Sequence, residues 1–347
     1  MCKIKITIFL SLTFVLYATI KKIAEPHYCN KNYMSINYSS VVSEGVPLPD
    51  QEERGGHSGG LINNKVIIVG GTNWNKDKSS KLFLSNSLIF DDTAWINGPS
   101  LPIPMAYSMF GHDDSGLYVA GGTSDGVTMI GKAFVLKSGQ NAVWEILPDL
   151  PEPVGFGSGS IMNGIFYISG GLLNSGERTN KMWALHLNNL ESGWIELKSL
   201  PGQPRILHSL VGCKDDLYLI GGLAENSPLT PLKDVYKFDC KEKNWKKLND
   251  LPMKGYAWVA QSFADKNLLM TGRADGQIHS DIWIIDLNSM SLKKIGNLVI
   301  SSTTAPLIKV TTNQWWLVSG EPDSNKNRTK TVSIINLINE DDKNNIH

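Results

Sequence analysis

A chain of 347 residues with 33 basic and 33 acidic side chains has no net charge. With no basic stripe and no aromatic RNA-binding signature, nucleic acid is excluded as a partner. Hydrophobic residues make up 41% of the chain and there are 32 glycines; with no helical periodicity beyond residues 1–25, these predict one compact domain of strands and turns. Seven scattered histidines, without Cys-x-x-Cys, His-x-His or an acidic calcium loop, predict neither a metal centre nor a cofactor.

At the N-terminus, Lys3 and Lys5 precede an apolar run from Ile6 to Ile20, which Lys21-Lys22 closes. That run is short for a membrane span and fits a secretory signal over residues 1–25, with an uncleaved N-terminal anchor as the alternative. Both predict a secreted or periplasmic location for the rest. Once Cys2 leaves with the signal, Cys29, Cys213 and Cys240 remain. Cys213 and Cys240 are predicted two strands apart, roughly 9.5 Å, which is too far for a disulfide. Ile36 to Val46, followed by Leu48-Pro49, then reads as a strand with no unit before it.

From there the chain repeats. Six hydrophobic strands end at a glycine: IIVGG (Gly70), YVAGG (Gly121), YISGG (Gly170), YLIGG (Gly221), LMTGR (Gly272) and LVSGE (Gly320), spaced 51, 49, 51, 51 and 48 residues. A turn pair precedes each, among them Asn63-Asn64 and Asn163-Gly164, residues suited to tight hairpins. Trp95, Trp144, Trp194 and Trp245 follow, each just ahead of a Leu-Pro pair. Each unit therefore predicts four antiparallel strands and a loop into the next, and the whole resembles a six-bladed kelch β-propeller over residues 36–337. The last unit lacks its fourth strand, so Thr331 to Leu337 is predicted to pair with the orphan N-terminal strand, which completes the last blade and leaves no open edge. Residues 338–347 form a polar tail.

The site is read from phase. In four units the residue after the aligned glycine is again glycine, whereas blades five and six show Arg273 and Glu321. Sixteen positions before each aligned glycine, where first strands begin beside the channel, stand Arg54, Met105, Val154, Arg205, Tyr256 and Thr304, with Arg328 just beyond Glu321. The chain has only five arginines against 28 lysines, and four of the five fall at these phases. Planar, bidentate forks kept in so lysine-rich a chain point to a small carboxylate ligand. The alternative is that they form rim bridges with Glu52, Glu53 or Glu321. His57 and His208, deeper in their strands, read as core or channel residues. Asn327-Arg328-Thr329 is also an N-glycosylation sequon.

Four ordered motifs resemble those of sialic acid mutarotases (N-acetylneuraminate epimerases), in their cyclically permuted branch: GGTNW (Gly70 to Trp74), LPIPMAYS (Leu101 to Ser108), PGQPRILHS (Pro201 to Ser209) and QWWLVSGEPDSNKNRT (Gln314 to Thr329). The resemblance implies catalytic Glu321 and Arg328. It implies a substrate-binding set of Arg54, Arg205, Arg273, Asn73, Tyr107 and Tyr256, a small acidic sugar such as sialic acid as partner, and no cofactor. Ser108 replaces a glycine of the pattern, and the loop from Glu321 to Arg328 is one residue longer. A secreted kelch module that binds a glycan or protein without catalysis is the alternative function.

Overall fold

The computed structural model describes residues 37–140, 142–225 and 228–340; the predicted signal, Cys29 and most of the polar tail lie outside them. The second strand of each repeat is apolar on both faces. Lys65–Val69, Gly116–Ala120, Ile165–Ser169 and Gln314–Val318 are buried from end to end or all but their first residue. A strand with a single buried face would alternate; these do not, because a neighbouring sheet packs on each side. Outer strands face solvent instead: in Trp95–Gly98 only Trp95 is buried.

Blade 1 runs Ser58–Ile62, Lys65–Val69, Ser87–Phe90 and Trp95–Gly98, and blades 2 and 3 repeat its four-stranded antiparallel order. Blades 4 and 5 join through a single pair, Leu232 with Gly255. Blade 6 holds Leu307–Lys309, Gln314–Val318 and Val332–Asn339, and its outer strand is Tyr38–Glu44, paired from Tyr38 with Asn339 to Glu44 with Ser333. The N-terminal strand thus completes the last blade, as its phase predicts. Each pair of neighbouring blades shares one apolar cluster, and Trp316, Val318 and Val332 of blade 6 pack on Val66, Ile68 and Leu88 of blade 1.

The repeated residues have repeated tasks. The indole N–H groups of Trp95, Trp144, Trp194 and Trp245 donate to Val46, Pro99, Pro148 and Lys198 carbonyls in the preceding blade's exit loop. Leu48, Leu101, Leu150, Leu200, Leu251 and Leu298 are buried beside those loops. Asn63 and Asn64 both adopt positive φ, 51° and 63°, as the tight hairpin requires. Cys213 and Cys240 are free thiols.

One alignment shifts by a residue. Thr72, Thr123, Leu172, Leu223, Arg273 and Glu321 occupy equivalent places, each facing the first strand of its own blade at Gly55, Ala106, Gly155, Ile206, Tyr256 and Thr303. Gly272 and Gly320 therefore match the second glycine of each pair, and Thr271 and Ser319 replace the first. The second cannot be replaced: at Gly320, φ is +106° and a Cβ would stand 2.7 Å from the Thr303 carbonyl oxygen. Ser319 tolerates the first position at φ 62°. Glu321 and Arg273 thus depart from threonine and leucine, not from glycine.

Candidate functional site

Six residues at one phase, Gly56, Tyr107, Phe156, Leu207, Ala257 and Thr304, all have positive φ. Backbone N–H groups link them: Tyr107 donates to Gly56, Phe156 to Tyr107, Leu207 to Phe156, Ala257 to Leu207 and Gly56 to Thr304. Together they make a hydrogen-bonded backbone belt. Below it a cavity of about 660 Å³ runs toward the hairpin turns at Asn63, Asp113 and Thr311. Glu321 and Arg328 do not line that cavity.

The acid–base groups gather on the other side. Glu321 leaves the second strand of blade 6, and its Oε1 lies 3.1 Å from Arg328 Nη1, the two side chains being 12% and 1% exposed. Arg328 also donates from Nε to the Thr72 carbonyl, from Nη1 to the Lys326 and Asn327 carbonyls, and from Nη2 to Thr72 Oγ1. Gly55 lies directly beneath: a Cβ there would stand 2.9 Å from Arg328 Nε and 3.1 Å from Glu321 Cγ. Tyr107 stacks on Phe156, centroids 4.4 Å apart, and lies over Gly56, where a Cβ would meet its ring at 2.6 Å. Burial, then the charge of Glu321, push its hydroxyl pKa up, and Arg328 opposes them. Lys81 donates to the Tyr107 hydroxyl at 3.3 Å.

The structure separates the eight sequence-predicted residues into three groups. Glu321, Arg328 and Tyr107 come together. Arg273 and Tyr256 form a second pair: Nη1 donates to the tyrosine hydroxyl at 2.7 Å and Nη2 to Ser324, in the loop that carries Arg328. Arg54, Arg205 and Asn73 are engaged by the protein itself. Arg54 donates to the Glu52, Gly70 and Asn86 carbonyls and pairs with the Glu52 carboxylate. Arg205 donates to the Gln203, Gly221 and Pro201 carbonyls and grips Asp234 bidentately at 2.7 and 2.9 Å. Both arginines are 0% exposed. Ser302, at the same place in blade 6, makes the matching bond to the Ser319 carbonyl. This position ties a first strand to its own second strand, so Arg54 makes the rim bridge to Glu52 that the alternative reading expected and Arg205 makes one to Asp234, which it did not name; Arg328 bridges Glu321 as that reading also allowed. The Asn73 amide bonds to the Gln51 carbonyl and the Trp74 N–H.

The histidines are interblade pins. His57 Nε2 meets the Val318 carbonyl and His208 Nε2 meets Ser169 Oγ, each in a neighbouring blade. Burial and the adjacent arginine pull both pKa values down, that of His208 to about 3, which keeps the rings neutral. Asn327 Nδ2 donates to Asp323 and its Oδ1 accepts from Lys78, so the sequon amide is engaged within its loop. Lys81 and Thr72 escape sequence reasoning, since one lysine among 28 carries no compositional mark.

A family model described as KLHDC2/KLHL20/DRC7 Kelch-repeats domain matches residues 158–340. Curated relatives include the N-acetylneuraminate epimerase of Salmonella enteritidis PT4, 30% identical over 148 residues, which are 41% of this chain and 37% of that protein. The namesake of Salmonella arizonae is 34% identical over 146 residues, 41% and 36% of the two chains. N-acetylneuraminate epimerase 1 of Escherichia coli O6:H1 is 28% identical over 155 residues, 43% and 40%. The matches thus span about two fifths of these relatives' length. A solved structure described as "Structure of YjhT" superposes with a TM-score of 0.64 at 16% identity, covering 84% of this chain and 99% of that one.

Proposed function

The chain belongs to the kelch-repeat family, and within it we propose a mutarotase that interconverts the anomers of N-acetylneuraminic acid or a related acidic sugar. The observation that carries this reading is the Glu321–Arg328 pair, buried beside Tyr107. The relatives' names support the sugar, and the Ile6 to Ile20 run supports export.

Opening a sugar ring needs a base for the anomeric hydroxyl and an acid for the ring oxygen. Both oxygens sit on one carbon, so a single carboxylate reaches both. Glu321 takes the hydroxyl proton as the ring C–O bond breaks and returns it to the departing ring oxygen. The open-chain ketone then turns about the carbon–carbon bond that joins it to the rest of the sugar chain, presents its other face to the hydroxyl and recloses by the reverse path. Arg328 pairs with Glu321 and fixes its orientation, and the stacked Tyr107 and Phe156 supply the floor. Proton transfer of this kind contributes roughly 10² to 10⁴ in rate.

The test is anomer exchange measured by NMR on saturating sialic acid. Glu321→Gln keeps the shape and removes the base; it is expected to melt as the wild type does and to lose about 10² or more in rate. A wild-type protein that does not accelerate exchange over buffer would replace this reading with the non-catalytic binding module.

A further inference from the structure

The arginines at the funnel phases and Lys81 differ in how many of their N–H groups the protein already uses. Arg54 and Arg205 are filled by carbonyls and by Glu52 and Asp234. Arg328 is filled by Thr72, Lys326, Asn327 and Glu321. Two cations keep open donors: Arg273, which bonds only Tyr256 and Ser324, and Lys81, which is half-buried, makes one hydrogen bond, to the Tyr107 hydroxyl, and has no carboxylate of the described residues within ion-pair reach. Its nitrogen lies 5.3 Å from the Tyr107 ring centroid and 5.9 Å from that of Phe83. An ammonium brought out of water without a counter-ion is costly. Two of its three N–H groups are available to a ligand.

The local charge points the same way. Arg328 pairs with Glu321, so of these three groups Lys81 carries the charge left without a partner, complementary to an anion. Lys81 reaches this place through local pairing, since Thr72–Trp74 and Lys81–Phe83 form a small hairpin with Trp74 opposite Lys81. Thr72 on that hairpin also receives Arg328. One short element thus holds both the cation and the partner of the catalytic pair.

Building on the mutarotase reading, we propose that Lys81 is the specificity-determining cation that holds the substrate carboxylate, the task that sequence phase had given to the arginines. In a 2-keto acid sugar the carboxylate is bonded to the anomeric carbon itself. Anchoring it on Lys81 sets the anomeric hydroxyl beside Glu321, and a neutral sugar forfeits that contact. Burial and Arg328 draw the Lys81 pKa down while Glu321 draws it up, so carboxylate binding weakens at a lower pH than for an exposed lysine.

The probes are the methyl α-glycoside of N-acetylneuraminate, which cannot open, and its carboxyl methyl ester, both titrated by calorimetry. The wild type is expected to prefer the glycoside. Lys81→Gln is expected to lose at least tenfold in glycoside affinity with ester affinity unchanged, Lys81→Arg to recover part of it, and all to melt alike. Glycoside affinity that is unchanged in Lys81→Gln, or that falls in equal proportion with that of the ester, overturns the proposal while leaving the mutarotase reading intact. Loss in Arg273→Gln instead would give the role to Arg273. If the wild type neither binds the glycoside nor speeds anomer exchange, both readings fall together.

Discussion

Arg205 and Arg273 belong to neighbouring blades, and sequence phase assigns both to the rim of one funnel, yet their surroundings are opposite. Arg205 is completely buried and holds Asp234 through both Nη atoms, with three carbonyls completing its shell. Arg273 makes two hydrogen bonds, to Tyr256 and Ser324, pairs with no carboxylate among the described residues, and leaves its buried Nε without a partner. An arginine whose donors are filled is part of the scaffold. One with open donors is available for a ligand.

Paired substitutions put the largest strain on this contrast. Arg205→Met leaves the Asp234 carboxylate and three carbonyls without their donor, and is expected to cost about 3–5 kcal/mol in urea unfolding, as when one member of a buried pair is removed. Arg273→Met breaks only two ordinary hydrogen bonds, and is expected to cost about 1–3 kcal/mol at most. Equal losses in the two variants would erase the distinction between them.

A smaller effect sharpens the alignment beneath it. Gly320→Ala forces a Cβ toward the Thr303 carbonyl at φ +106°, and is expected to cost about 1–3 kcal/mol, whereas Ser319→Gly is expected to change stability by less. If Ser319→Gly were the more damaging of the two, the glycine of blade 6 would belong to the other position after all.

A pH dependence is expected from the histidine pins. Burial, then the charge of Arg205, lowers the folded pKa of His208 to about 3 from its ordinary 6.5. Between those values the unfolded chain binds the proton and the folded one does not, so stability is present above pH 6.5 and is lost as pH falls toward 3. His57 shifts in the same direction. Thermal melts of His208→Gln are expected to show a shallower acid decline than wild type, and a parallel decline would mean that carboxylates elsewhere govern it.

The chain's sequence determined its architecture because the architecture is made of local, repeated signals. The turn pairs, the apolar second strands, the tryptophans and the Leu-Pro loops each act within about one repeat, and the missing fourth strand of the last unit identified its partner in Tyr38–Glu44. The presence of Glu321 and Arg328 at the blade 6 exit was equally legible. What only the tertiary structure decided was the use of each charge. Donor geometry set by Asp234 and Glu52 removed Arg205 and Arg54 from the site, and a three-residue hairpin strand brought Lys81 across to Tyr107. The physical reason is range: a strand or turn is written in neighbouring residues, whereas the partner of a buried cation is fixed by chain segments that meet only once the blades have packed.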